Sequence, residues 1–146
     1  MKQYYEAKVR YGKIDTNGKE KRVTEPYLVD ALSFTEAETR IHQEMTAYIS
    51  GDFDVVSIKR DKTSEIIAIE GKGQWYRCRL RFIDINEAGR ECETDLYVTV
   101  YAETTDEATA AVADKFKDVI SPWRIASISE TAIADVFDYE QPTEKE

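Results

Sequence analysis

The sequence predicts an α+β protein built from two tandem β-β-α-β-β repeats, fused into one antiparallel-sheet domain with pseudo-twofold symmetry. Both helices are expected on one face of the sheet. Three observations support this fold class. Segments that alternate apolar and polar residues indicate strands, two segments with helical periodicity begin with capping boxes, and the pattern of residues 1–70 recurs at an offset of 71.

The first repeat begins with a strand over residues 4–12, where every second side chain is apolar. Asn17-Gly18 then predicts a hairpin turn, and a second strand follows over about 22–32. Pro26 cannot donate a ladder hydrogen bond, so this strand is expected to lie at a sheet edge or to bulge there.

A helix should follow, because Ser33 and Glu36 form a capping box. Its apolar face is predicted to run through Ala37, Ile41, Met45, Tyr48 and Ile49, and its end to lie at Ser50-Gly51. Two strands complete the repeat, at Phe53–Ile58 and Glu65–Ile69.

The second repeat restates the first in its inward residues, turn glycine and cap. Tyr5 matches Tyr76, Gly18 matches Gly89, and Ser33-x-x-Glu36 matches Thr104-x-x-Glu107. The helix faces also match, with Met45 on Phe116, Tyr48 on Val119 and Ile49 on Ile120; beyond Ser121 the offset becomes 70.

This agreement predicts an internal duplication. We expect a single domain over residues 1–139, divided into repeats 1–70 and 71–139, with a polar, disordered tail at 140–146. A tight turn joins the repeats, so strands three to six are predicted to form a continuous antiparallel meander.

Composition limits the classes of function. The chain of 146 residues is 42% hydrophobic and 34% charged, which is sufficient for a packed core. Its formal net charge is −9, so nucleic-acid binding would need a local basic patch.

No apolar leader or membrane-length segment is apparent, which predicts a cytoplasmic protein without a membrane partner. Cys78 is expected to be a buried thiol and His42 a surface or boundary residue. The sequence has no metal-ligand spacing, phosphate loop, dinucleotide motif or nucleophile elbow. We therefore expect no enzyme activity, no catalytic residues, no metal and no cofactor.

The outward face of the strand at 73–82 is the candidate binding site. Trp75, Arg77, Arg79 and Arg81 alternate with its inward residues, and no acidic residue interrupts the stretch. Arginines interleaved with aromatic rings can follow a nucleic-acid backbone and stack its bases. The tentative site comprises Trp75, Arg77, Arg79, Arg81, Tyr97, Tyr101, Lys8 and Arg10.

Three interpretations of this face remain open. The arginines can form cross-strand ion pairs with Glu93, Asp95 and Glu103 on a solvated surface. They can bind single-stranded nucleic acid, and the order of four strands and a helix is similar to that of the duplicated Pur-type and whirly-type single-strand binders. Alternatively, Trp75 and its aromatic neighbours Tyr97 and Tyr101 form a surface that binds another protein, or that binds a second copy of the chain in a homo-oligomer.

Three segments resemble a domain-of-unknown-function family of Bacteroidetes. They are the opening Met-Lys-Gln-Tyr-Tyr-Glu-Ala-Lys-Val-Arg-Tyr, the Val-Thr-Glu-Pro-Tyr-Leu-Val-Asp-Ala run at 23–31, and the helix start Ser33-x-x-Glu36-Ala37-Glu38. The resemblance covers most of the chain. It implies a bacterial source and a small acidic duplicated α+β fold, and it carries no site residues.

Overall fold

The computed structural model describes residues 2–139, so the predicted disorder of residues 140–146 lies outside the described part. Within it the chain forms eight strands and two helices, in an order that matches both predicted repeats. They are β1 (Tyr4–Ile14), β2 (Glu20–Asp30), α1 (Phe34–Tyr48), β3 (Phe53–Asp61), β4 (Thr63–Ala68), β5 (Gln74–Ile85), β6 (Glu91–Ala102), α2 (Thr105–Lys115), β7 (Trp123–Glu130) and β8 (Asp135–Phe137).

The strands form two four-stranded sheets, with orders β3-β1-β2-β8 and β4-β6-β5-β7. The α+β class is therefore confirmed, but there are two sheets where one was expected. The predicted meander is wrong, because β3 and β4 belong to different sheets and β4 pairs with β6 in parallel. Similarly, β8 leaves the sheet of its own repeat and pairs in parallel with β2.

The fourth strand of each repeat is thus exchanged, and the compact units differ from the repeats. Unit 1 contains the described residues 2–61 and 133–139, whereas unit 2 contains Lys62–Ala132. The boundaries fall at 61/62 and 132/133 rather than at 70/71, because β4 is part of the second sheet.

In unit 1, α1 covers one face of the first sheet. Ala37, Ile41 and Met45 are fully buried against inward residues of β1 and β2, including Val9 and Val29. The capping box is formed as predicted, since Ser33 Oγ accepts a hydrogen bond from Glu36 N at 3.1 Å. Tyr48 was predicted on the buried face, but it lies in the last turn and is exposed.

Unit 2 repeats this arrangement with α2, whose Ala108 and Val112 pack with Phe116 on Cys78, Leu80 and Val98. Thr104 Oγ1 accepts from Glu107 N at 3.1 Å, which confirms the second capping box. The helix is shorter than predicted and ends at Lys115. Val119 and Ile120, expected on its buried face, are exposed, Ile120 at 98%.

The hairpin turns of the two units share one geometry. Asp15 Oδ1 accepts from the backbone N–H groups of Asn17 and Lys19, and Asn86 Oδ1 accepts from Ala88 and Arg90 in the same way. Gly18 and Gly89 have φ values of 80° and 78°, a region that favours glycine. The sequence signal at Asn17-Gly18 therefore identified a real turn.

The edge strands share an irregularity as well. The β1–β3 register shifts between Lys8 and Val9, and the β5–β7 register shifts between Arg79 and Leu80, the positions that correspond at an offset of 71. Such bulges bend an edge strand and increase its twist. This likeness is what a duplication would leave, although the duplication itself stays a prediction.

Pro26 lies in β2, which has β1 on one side and β8 on the other. The β8 ladder covers only Tyr27 to Val29, so at Pro26 the strand is locally at an edge. Pro26 O accepts from Ala134 N at 2.8 Å, and its nitrogen faces the same side. The missing N–H therefore removes no bond from the β1–β2 ladder.

Cys78 is a free thiol with no exposed surface, and burial raises its pKa to about 11. Cys92 is free and half-buried. Because the thiolate is the reactive species, we expect native protein at about pH 8 to react with Ellman's reagent at Cys92 alone. A Cys92→Ser variant should be unreactive until denatured, and labelling of its native state at the rate of an exposed thiol would contradict the burial of Cys78.

Candidate nucleic-acid interface

The predicted basic strand is β5, which lies between β6 and β7 in the second sheet. Its inward residues Tyr76, Cys78 and Leu80 are buried against α2, as the alternation predicts. Trp75, Arg77, Arg79 and Arg81 therefore share the opposite face. The structure separates this face into a buried part and an accessible part.

Trp75 belongs to the buried part and is only 7% exposed. Its indole ring lies 5.0 Å from the ring of Tyr101, centroid to centroid, on the neighbouring strand. Thr131 fixes the backbone beside it, since Thr131 N and Oγ1 both donate to Trp75 O, at 3.0 and 2.8 Å. In this arrangement the Trp75 ring is packed and does not form an open platform for a base.

Arg77 is half-buried, between Thr99 on β6 and Ser129 on β7. Thr99 is completely buried, and its Oγ1 lies 2.6 Å from Thr63 Oγ1. In the middle of the face the hydroxyl groups of Thr99 and Thr63 are buried. The solvent-accessible part of the face therefore begins at Arg79.

Arg79 and Arg81 lie beside Asp95, Arg81 also lies beside Glu93, and Arg124 is on the neighbouring strand. We call these five residues the arginine cluster. Arg81 Nε donates to Asp95 Oδ1 at 2.9 Å, and Arg81 Nη2 donates to Oδ2 at 3.3 Å. Arg79 Nε lies 3.6 Å from Asp95 Oδ2, and Arg81 Nε lies 3.7 Å from Glu93 Oε1. Arg124 is exposed on β7, opposite Arg81 in the register.

The arginines of the cluster change the pKa of Asp95. The hydrogen bond from Arg81 lowers the pKa of the Asp95 carboxyl, and the positive charges of Arg81, Arg79 and Arg124 lower it further. The same hydrogen bond raises the pKa of Arg81. Cross-strand ion pairing is therefore confirmed for Glu93 and Asp95, with one positive charge in excess across the cluster.

Tyr97 continues the accessible part. It is the β6 partner of Arg79, its side chain is half-buried, and Lys62 Nζ lies 5.5 Å from the ring centroid. The sequence prediction missed Lys62 and Arg124. Arg124 could have been found from its alternation with the inward Trp123. Lys62 is placed here by the parallel pairing of β4 with β6, which no local pattern indicates.

A family model for a domain of unknown function matches residues 3–139. The chain belongs to the DUF4494 family. The predicted membership of a domain-of-unknown-function family is thereby confirmed, and the Bacteroidetes source stays a prediction. No curated protein and no solved structure matches the chain.

In this DUF4494 protein the remaining predicted site residues, Lys8 and Arg10, lie in unit 1. Both are exposed on β1, at the positions that correspond to Arg79 and Arg81. Arg10 Nε donates to Thr24 Oγ1 at 3.4 Å, where unit 2 has Asp95, and Asp54 stands where unit 2 has Arg124. The arginine cluster is therefore a feature of unit 2 and has no copy in unit 1.

The DUF4494 chain has a second charged group in unit 1, around Asp30, which is only 3% exposed. Burial raises the pKa of Asp30, although its Oδ1 accepts from Tyr139 N at 3.0 Å and from Arg40 Nη1 at 3.2 Å. Arg40 also lies 4.3 Å above the Tyr139 ring. Because these contacts hold Tyr139 against β2 and α1, this group is a structural anchor.

The described residues offer little else that could act as a catalytic or metal-binding site. His42 is exposed, and its ring lies 5.4 Å from that of Phe53. Among residues 2–139, no group of His, Cys, Asp or Glu side chains could hold a metal ion. Neither described helix is long and apolar enough to cross a membrane.

Proposed function

We propose that this protein is a non-enzymatic binding module of the bacterial cytoplasm, and that the arginine cluster of unit 2 binds single-stranded nucleic acid. One observation carries the proposal. The guanidinium groups of Arg81 and Arg79 lie 2.9 and 3.6 Å from the Asp95 carboxylate, and the positive charge of Arg124 also acts on it, in a chain whose net charge is −9. A local excess of arginine in an acidic protein is the electrostatic feature that backbone binding requires.

The chemistry of the cluster suits phosphate groups. A guanidinium presents two parallel N–H donors to a carboxylate or a phosphate, which is the geometry that Arg81 already adopts with Asp95. Tyr97 adds a ring beside Arg79, and Lys62 adds a further positive charge. A ring next to cations is the usual arrangement of sequence-tolerant single-strand binders.

The burial of Trp75 limits the ways in which the cluster could bind a single strand. Base stacking is left to Tyr97, so the affinity should come mainly from phosphate contacts and should depend little on sequence and strongly on salt. A protein or self-assembly interface on Trp75, Tyr97 and Tyr101 has less support, because the first ring is packed against the last.

The binding test is fluorescence anisotropy with a labelled oligothymidine of about 12 nucleotides. If the cluster contacts about three phosphates, the affinity should fall roughly tenfold to twentyfold between 50 and 200 mM salt. Arg79→Glu should weaken binding at least about tenfold, because it replaces a phosphate donor by a like charge.

The matched control is Arg90→Glu, which makes the same change in charge at an exposed position of the β5–β6 turn. This variant should lose much less affinity than Arg79→Glu. Absence of binding at low salt, or equal losses in the two variants, would refute the proposal.

We also infer that the two units arose by duplication of one β-β-α-β-β unit. The support comes from features that packing alone does not demand, namely the shared side-chain hydrogen bonds of Asp15 and Asn86 and the matching bulges of the edge strands β3 and β7.

A further inference from the structure

Asp95 accepts the two parallel N–H donors of Arg81, the kind of donor pair that also binds a phosphate. Both of its oxygens accept from Arg81, at 2.9 and 3.3 Å, and the second oxygen lies 3.6 Å from Arg79 Nε. Arg79 Nε is buried and donates no hydrogen bond to any described residue. An internal anion is thus held by one arginine, approached by a second, and stabilised by the charge of Arg124.

We propose that Asp95 is a built-in competitor of the ligand, so that a nucleic-acid phosphate must displace its carboxylate from Arg81 before the cluster can bind. This inference rests on the proposed function and adds a regulatory element to the same site. The anions that compete with Asp95 are phosphodiester groups, because a phosphate accepts the same pair of N–H bonds as a carboxylate.

The position of Asp95 suits such an exchange. Its side chain is 30% exposed, so an incoming phosphate can reach it from solvent. The register β5–β6 holds Asp95 opposite Arg81, so displacement needs a rotation of the side chain and no change in the strands. Glu93 lies beside the same guanidinium and would keep part of the charge balanced when Asp95 leaves.

Unit 1 shows that the fold does not need a carboxylate at this place. Thr24 stands at the corresponding position of β2 and accepts from Arg10 Nε at 3.4 Å, so the equivalent arginine of unit 1 meets a neutral hydroxyl on this strand, while Asp54 lies opposite it on β3. The β6 position of Asp95 therefore accepts a neutral residue in the corresponding place of β2, and the effect of Asp95 on ligand affinity can be measured by substitution.

The test compares Asp95→Asn with Glu91→Gln, which removes the same charge from an exposed residue of the same strand. Affinities for the labelled oligothymidine are measured over a range of salt concentrations. We expect Asp95→Asn to bind about three- to tenfold more tightly than Glu91→Gln. We also expect its salt dependence to be steeper, by a slope of about 0.7 for one additional phosphate contact.

A second variant, Asp95→Thr, introduces the residue that unit 1 has at the corresponding position. Threonine is also favourable in a strand. This variant should reproduce the gain of Asp95→Asn, and circular dichroism should show that both variants remain folded. If the wild-type protein binds and all three variants gain equally, the competitor role is overturned while the proposed function stands. If neither wild type nor the Asp95 variants bind at low salt, both proposals fail.

Discussion

Truncating the chain after Ala132 is expected to unfold unit 1 and to leave unit 2 folded. The deletion removes β8, and with it the parallel ladder to β2 from Tyr27 to Val29. It also removes Phe137, which is 9% exposed and whose ring lies 5.8 Å from that of Tyr27. Loss of one buried phenylalanine side chain alone costs about 3–5 kcal/mol, a large fraction of the stability of a small unit.

The same truncation removes the partners of the Asp30 anchor. Asp30 would lose the hydrogen bond from Tyr139 N, and Arg40 would lose the Tyr139 ring that it covers. Hydrogen exchange should show lost protection in β1 and β2. Trp75 and Trp123, the two tryptophans of the chain, both lie in unit 2, so their fluorescence should stay native.

The control for this truncation is a chain ending at Tyr139, which keeps β8 and every contact of the Asp30 anchor. It should protect the amides of β1 and β2 as the full chain does. Equal protection in the chain that ends at Ala132 would show that β8 contributes little to unit 1.

Residues 1–70 expressed alone are expected not to form a stable closed monomer, because β4 cannot complete the sheet of its own repeat. The place that β8 fills lies across β1 and β2 from β3, a distance of about 14 Å for three strand spacings. Lys62 is the sole residue between β3 and β4, and the two Cα steps from Asp61 to Thr63 span at most about 7 Å.

Mixing residues 1–70 with residues 71–139 should therefore restore both sheets, since each fragment supplies the fourth strand of the other. Circular dichroism melts should show a cooperative transition for the mixture and a weak or absent one for residues 1–70. Light scattering should give one copy of each fragment per complex. A monomer of residues 1–70 with a cooperative melt would contradict this account of the exchange.

Features that depend on residues close together in the sequence were predicted well, and features that depend on distant residues were not. The two capping boxes, the Asn17-Gly18 turn and the inward side of β5 were predicted correctly, because each depends on residues a few positions apart. The exposed ends at Tyr48, Val119 and Ile120 were not, because helical periodicity continues beyond the point where a helix leaves its sheet.

The residues of the candidate site were likewise predicted only where local alternation places them. The alternation of β5 correctly placed four outward side chains on one face, but it could not distinguish the packed Trp75 from the accessible Arg79 and Arg81. It also could not supply Lys62 and Arg124, which reach the site through the pairing of β4 and β7.

The class of fold, the order of the elements, the likeness of the two halves and the basic character of one strand face can all be predicted from the residues alone. These follow from local periodicity and from an offset that can be counted. The exchange of β4 and β8 between the sheets, and the pairing of Asp95 with Arg81 beside Arg79, become visible only in the folded chain. Strand partners are chosen by linker reach and long-range packing, and neither is written in the residues of a single strand.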